Sequence, residues 1–321
     1  MNAITMKRFI NVIDSIGTFK DMFSRPKGVE RVFNVRYSDF SNKNKLDIFY
    51  PEGETKRLPL IIYVHGGGWM ASDKSRYVNY CMKLAKQGFL VFSINYRLAP
   101  KFRHPSCIMD TIDAINWVKK NAKAYNGDLN NIALGGDSAG AHIINTIIDI
   151  CLNEEFRAYY KVEAPLKIEQ IKAAFFYYGA FRFLDSTGSD FGNEMNYDGV
   201  TLTGTKKKND KGQDEGFMGM SELYLGVKKL TDYPGYQQIM PIDFITEKFP
   251  PTLVLSGQID FIHKSTLEMI EKLTEKGIEF KKIIYDKSIK EAQHGFMNNH
   301  HTNPAKECLQ EVAAFIKNKV G

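Results

Sequence analysis

Two glycine-bearing segments, each directly behind an apolar run, do most to limit what this chain can fold into. Leu60-Ile61-Ile62-Tyr63-Val64 leads into His65-Gly66-Gly67-Gly68-Trp69, and about 70 residues later Asn131-Ile132-Ala133-Leu134 leads into Gly136-Asp137-Ser138-Ala139-Gly140. A continuous apolar run reads as a strand buried on both faces, which requires helices on both sides of its sheet. Phe89–Ile94, Ala173–Tyr178, Thr252–Leu255 and Lys282–Tyr285 read as further strands. Helical stretches fall between them: Tyr77–Gln87, Ile108–Asn121, Ala139 to about Leu152, Ser265–Lys276, and a last amphipathic helix from near Pro304. This alternation predicts an α/β fold around a mainly parallel central sheet flanked by helices. Val35–Ser38 and Leu46–Tyr50 mix polar and apolar residues and read as edge strands, the second ended by Pro51. Asp110 and Asp113 fall near the start of their helix, where acidic groups suit the dipole.

Two stretches stand apart from the alternation. Phe9, Ile13, Ile16, Phe19 and Phe23 recur at spacings of three and four, which predicts one apolar helical face ending before Pro26. Between Tyr178 and Pro250 lie roughly 70 residues rich in Gly, Asp, Lys and Tyr, with a weak helical pattern only from Met220 to Leu230. A plain connection would be far shorter, so an insertion over the C-terminal edge of the sheet is expected. The organisation read from this is an N-terminal helical cap segment over 1–33 and a catalytic domain over 34–321, with a cap insertion at about 180–245.

Charge and cysteine usage narrow the partners. Forty-three basic residues stand against 37 acidic ones, a net charge of +6 that is too evenly spread for a nucleic-acid footprint. The Lys206-Lys207-Lys208 and Lys211 cluster reads as a solvated loop. No run of about 18 apolar residues occurs, so no stable membrane insertion is expected, and the N-terminus lacks the apolar stretch of a signal peptide. Cys81, Cys107, Cys151 and Cys308 are widely scattered, which points to free thiols and a cytoplasmic home. A metal site is not expected: there is no H-E-x-x-H, no paired-cysteine ligand spacing, and no argument for one from His294, His300 and His301.

The chemistry is carried by a few positions. Ser138 sits at the tip of a strand-to-helix turn, where G-x-S-x-G exposes a hydroxyl, although a serine there could also simply cap the helix. A serine nucleophile needs a base, and the base needs an orienting group. His294, in Gln293-His294-Gly295-Phe296, follows the last strand and opens at the same sheet edge as Ser138. His142, four residues past Ser138, points away along its helix, His65 suits packing or a backbone hydrogen bond, and His300 and His301 read as exposed. Asp260 follows the strand Thr252–Leu255 and can accept the second N–H of the histidine; Asp286 and Glu291 read as surface charge. Backbone N–H groups of Gly67, Gly68 and Ala139 are placed to hold an oxyanion.

These residues resemble a known family. His65 to Trp69, Tyr96-Arg97-Leu98-Ala99-Pro100, Gly136 to Gly140, Asp260 and His294-Gly295-Phe296 are similar to the hormone-sensitive-lipase-like esterases of the α/β-hydrolase superfamily, over roughly residues 58–318. The resemblance implies the α/β-hydrolase fold, no cofactor, a lid made by the N-terminal helix and the insertion, and hydrolysis of small carboxylic esters, often with short acyl chains, through an acyl-serine intermediate. It departs at Asp260-Phe261-Ile262, where Asp-Pro-Leu is common, at Ala141-His142, where Gly-Asn is common, and over 186–219, which has no recognised counterpart. An amidase, formamidase or peptidase could use the same three residues. A non-catalytic binder is the alternative of a different class, although all three candidate residues are kept. Phe175–Tyr178, Phe181 and Phe183 read as core and lid packing, or as an aromatic wall for an aryl or sugar ester. Any exposed apolar face of the N-terminal helix could pack on the lid or in a homo-oligomer.

Overall fold

A computed structural model of the 321-residue chain describes residues 3–21, 24–183, 194–197, 200–203, 219–227 and 230–320. The Lys206–Lys208 cluster, Lys211 and Phe23 lie outside these residues. Helices α1 (Ala3–Asp21), α2 (Val78–Lys86), α3 (Ser106–Asn121), α4 (Ala139–Leu152), α5 (Glu154–Tyr160), α6 (Gly219–Leu225), α7 (His263–Glu275) and α8 (Asn303–Val320) alternate with strands. The strands are β1 (Val29–Arg36), β2 (Lys45–Pro51), β3 (Leu58–Val64), β4 (Leu90–Ile94), β5 (Gly127–Asp137), β6 (Ile171–Tyr177), β7 (Glu194–Tyr197), β8 (Val200–Thr203), β9 (Thr252–Gly257) and β10 (Phe280–Tyr285). The main sheet has the order β1-β2-β4-β3-β5-β6-β9-β10; β7 and β8 pair separately as an antiparallel hairpin. From β4 to β10 every pairing is parallel, while β1 and β2 add antiparallel strands at one edge.

The period-2 rule explains the layering. Leu60, Ile62 and Val64 of β3 face α3 and α4, packing with Ile108, Ile115, Ile143 and Ile147. Ile61 and Tyr63 face the other way, packing with Cys81 and Leu84 of α2 and Val312 and Ile316 of α8. Both faces are thus covered, as the continuous apolar runs require.

Strand order also places the site. The chain passes from β3 to its neighbour β4, then returns to lay β5 on the other side of β3. Loops leaving β3 and β5 at their C-terminal ends therefore diverge and leave a crevice between them. The glycine run follows β3 and Ser138 follows β5, so both motifs open into that crevice.

Several expectations need correction. The buried stripe of α1 is not the face through Ile16 and Phe19, which are 52% and 63% exposed; Ile10 is buried, and Phe9 and Ile13 are half-buried. Polar contacts set this rotation. Lys7 Nζ donates to Ala99 O at 3.1 Å, Asn11 Oδ1 accepts from Ser72 N at 3.1 Å, and Asp14 lies 3.7 Å from Arg76. Positions 7, 10, 11 and 14 form one helical stripe. Asp110 does not serve the dipole of α3. Its fully buried carboxylate binds Arg97, with Arg97 N at 2.7 Å and the guanidinium also at 2.7 Å, and so braces the loop after β4. The first edge strand begins at Val29, seven residues before the Arg36 where it ends. Helix α5 and the β7–β8 hairpin have no counterpart in the sequence reading.

Candidate active site

The turn between β5 and α4 contains a single residue, Ser138, at φ 49°, ψ −118°. A non-glycine residue with this positive φ is strained, and hydrogen bonds hold it there. Ser138 N donates to Tyr177 O at 2.9 Å, and Ser138 O accepts from Ala180 N at 3.1 Å. Close approach is possible because Gly140 has no side chain: a Cβ there would stand 2.0 Å from Val64 O.

His294 lies between β10 and a short 3₁₀ turn at Phe296–Asn298, and Asp260 lies in the turn between β9 and α7. His294 Nε2 is 3.1 Å from Ser138 Oγ. His294 Nδ1 is 2.9 Å and 3.1 Å from the two Asp260 oxygens. With Nδ1–H donating to the carboxylate, Nε2 is left as the acceptor for the serine hydroxyl. Asp260 Oδ1 also accepts from Ile262 N at 2.9 Å, which fixes the carboxylate. Three residues far apart in sequence therefore converge, all largely buried from solvent except Ser138, which is half-buried.

Beside them, Gly67 and Gly68 adopt φ of +103° and +58°. Met70 N and Ala71 N bond back to Gly67 O at 3.1 and 2.9 Å, which rolls this loop into a tight turn. Ala139 opens α4, and the first N–H groups of a helix have no intrahelical acceptor. The three N–H groups assigned to the oxyanion thus come from a turn after β3 and a helix start after β5.

Asp137 joins these two loops, a role the sequence reading missed. Its Oδ1 accepts from Gly66 N at 2.9 Å and Tyr63 Oη at 2.8 Å, and its Oδ2 from Tyr77 Oη at 2.9 Å. Burial pushes its pKa up to about 6, opposed by the two phenol donors. Tyr96 Oη lies 2.9 Å from His65 O and 3.1 Å from Gly66 O and braces the same loop.

The other histidines are elsewhere. His65 Nδ1 is 2.7 Å from Gly66 O, its ring stacks on Tyr96 at 4.4 Å, and burial lowers its pKa to about 4. His142 Nε2 is 3.0 Å from Ile239 O. His104 bonds Tyr233 Oη and Tyr160 Oη, and His263 bonds Ser256 Oγ. His300 is buried rather than exposed, because the turn after Phe296 carries it inward; burial lowers its pKa to about 3. Asp286 and Glu291 are exposed. The four cysteines are free thiols, and burial raises the pKa of Cys107 and Cys308 to about 12.

Helix α6 packs on the glycine loop. A Cβ on Gly68 would meet Met220 Cε at 2.1 Å, and Tyr224 stacks on Trp69 with centroids 5.0 Å apart and planes 11° apart. Phe183 and His142 complete this cluster at 4.7 and 5.3 Å from Trp69.

The family model of BD-FAE matches residues 46–268, more than half of the chain. This chain belongs to the BD-FAE family. Membership agrees with the resemblance to hormone-sensitive-lipase-like esterases read from the motifs. Among curated relatives, the chain is 27% identical over 235 residues to Esterase LipQ of Mycobacterium tuberculosis, covering 71% of this chain and 48% of that protein. It is 27% identical over 212 residues to Esterase LipC of the same organism, covering 65% of this chain and 46% of that protein. The chain spans less than half the length of these curated relatives. Among solved structures, Esterase B from Lactobacillus Rhamnosis superposes with a TM-score of 0.75 at 19% identity, over 98% of this chain and 95% of that one. A Pyrobaculum calidifontis esterase superposes with a TM-score of 0.74 at 22% identity, over 100% and 94%. These likenesses establish the α/β-hydrolase fold. Among the described residues, no helix is long and apolar enough to cross a membrane.

Proposed function

We propose that this chain is a carboxylic ester hydrolase acting through an acyl-serine intermediate, with Ser138 as nucleophile, His294 as base and Asp260 as the group that orients it. The observation that carries the proposal is the 3.1 Å contact from His294 Nε2 to a strained Ser138, with Asp260 2.9 Å from the opposite ring nitrogen. Ser138 Oγ attacks the ester carbonyl carbon while its proton passes to Nε2. The carbonyl oxygen becomes an oxyanion facing the N–H groups of Gly67, Gly68 and Ala139. The bond to the alkoxy oxygen then breaks as Nε2 returns the proton to the leaving alcohol. Water repeats the sequence: it loses a proton to Nε2, attacks the acyl carbon, and the bond to Oγ breaks as the proton goes back to serine.

Small esters with short acyl chains suit the space around the site. Met220 lies on Gly68 and Tyr224 on Trp69, so α6 fills volume beside the glycine loop that a long chain would need. We assign α1 and the 180–245 insertion as the cap. Free thiols agree with a reducing compartment such as the cytoplasm. The test is hydrolysis of p-nitrophenyl acetate, butyrate and decanoate, with an acetanilide as the matched amide. The two short esters should be turned over and Ser138→Ala should lower kcat by about 10⁴-fold or more. Full activity in Ser138→Ala would overturn the mechanism, and a preference for decanoate or for the amide would overturn the substrate class.

A further inference from the structure

The imidazole of His294 has more around it than its two hydrogen-bond partners. The Tyr178 ring centroid lies 4.5 Å from that of the imidazole, at an interplanar angle of 52°, and the Phe261 centroid lies 4.4 Å away, at 42°. Both distances lie at the short end of the aromatic contacts in this protein, whose edge-on pairs run from 4.6 Å between Phe156 and Phe244 to 6.5 Å between Phe175 and Tyr177. Tyr178 is held there firmly. It is fully buried, its φ is +35°, and its N–H donates to Leu255 O at 2.7 Å. Phe261 directly follows Asp260, so the turn that places the carboxylate places the ring as well. It also marks one of the chain's departures from the common Asp-Pro-Leu.

An aromatic face carries negative charge in its quadrupole and attracts a cation within about 6 Å of the ring centre. In the acyl-transfer reading, His294 becomes a cation each time it takes a proton from serine or water. We propose that Tyr178 and Phe261 are positioning residues for His294: their rings hold the imidazole and stabilise it in its cationic form, so that the protonated intermediate is favoured at the moment the oxyanion forms. The functional meaning of this inference rests on the acyl-transfer reading; its physical content does not.

Several groups face His294. Asp260 binds Nδ1 from the β9–α7 turn, and Ser138 faces Nε2 from the β5–α4 turn. Asp137, at the end of β5, feels the charge of His294, and Tyr178 lies just beyond β6. His263, at the start of α7, feels the charge of Asp260. Changing only the electron density of the ring at 261 leaves all of these in place.

The test replaces Phe261 in the full chain by phenylalanines of increasing ring fluorination, which keep the shape and progressively cancel the quadrupole. The readout is the NMR titration of the His294 ring, followed by the pH profile of kcat/KM on p-nitrophenyl acetate. The titration midpoint should fall stepwise, by about half a unit to one unit across the series, and the acid limb of kcat/KM should move with it to lower pH. Phe261→Leu should shift the midpoint in the same direction, and Phe261→Trp should shift it upward. A midpoint unchanged across the fluorinated series, or one that rises, would overturn the proposal and leave Phe261 as packing. If the midpoint falls stepwise while the unmodified chain hydrolyses no ester, the ring effect stands and the acyl-transfer reading falls.

Discussion

Asp137 is a carboxyl group closed off from solvent and held by Gly66 N–H, Tyr63 and Tyr77. With its pKa raised by burial to about 6, the folded chain keeps a proton there between about pH 4 and 6 that the unfolded chain has already released. Stability must then fall as pH rises across that window, since withdrawing protons favours the state that holds fewer of them, here the unfolded chain. The penalty is absent below about pH 4, complete above about pH 6, and amounts to about 3 kcal/mol at 1.36 kcal/mol per unit. Urea unfolding at pH 4, 5, 6 and 7 should show Asp137→Asn losing most of this slope; parallel profiles for both proteins would contradict it. The residue was not legible in the sequence although it adjoins Ser138. Its partners lie 60 to 74 residues away, and only the fold brings Tyr63, Tyr77 and Gly66 to it. Ser138, Asp260 and His294 could be singled out because each lies in the connection that follows a strand, and strand ends in a parallel sheet share one edge. The ring contacts of Tyr178 and Phe261 have no periodicity to announce them.

Elements behind the site are tied together by buried charge. Lys74, in the 3₁₀ turn that follows the glycine loop, reaches Asp47 of β2 at 2.7 Å and Asn34 Oδ1 of β1 at 2.9 Å, with both charged side chains almost fully buried. Asn34 itself, at φ +59°, donates its N–H to the same Asp47 oxygen at 2.7 Å. One carboxylate thus anchors both edge strands to the loop that opens the site. Lys74→Met leaves that carboxylate buried and unpaired, and chemical denaturation should show a loss of roughly 3–5 kcal/mol. The double change Lys74→Met with Asp47→Leu should recover most of it; a single variant as stable as the parent would contradict this role. Apolar runs marked the elements themselves well, since β3, β4, β6 and β9 are buried on both faces. The apolar spacing of α1 points only partly to its packed side: Phe9 lies against the core, but Ile16 and Phe19 turn outward because the contacts of Lys7, Asn11 and Asp14 set the rotation of the helix. Asp110 was misread for the same reason: a buried ion pair with Arg97 outweighs the few tenths of a kcal/mol that a dipole interaction offers.

At the scale of the whole molecule, α1 and α6 lean on the glycine loop from different parts of the chain. Asn11 of α1 accepts the N–H of Ser72, four residues past Gly68, and Met220 of α6 lies on Gly68 itself. Between α1 and the body is a cleft of about 740 Å³, lined by Lys7, Asn11, Ser72, Arg76 and Lys101 among others. Because Asn11 steadies the loop and not the core, Asn11→Ala should lower kcat/KM about threefold to tenfold, the equivalent of one lost hydrogen bond, with little change in Tm. A large fall in Tm at unchanged kcat/KM would assign Asn11 to stability alone. All of this surrounds one convergence, the Ser138 hydroxyl 3.1 Å from the His294 imidazole, and the proposed function rests on the second activating the first. The most direct measurement is fluorophosphonate labelling of the folded chain followed by peptide mass mapping. One adduct per chain is predicted, on Ser138, absent from Ser138→Ala and strongly slowed in His294→Ala. A folded chain that takes no label, or takes it on another residue at the same rate with or without His294, would contradict the central claim.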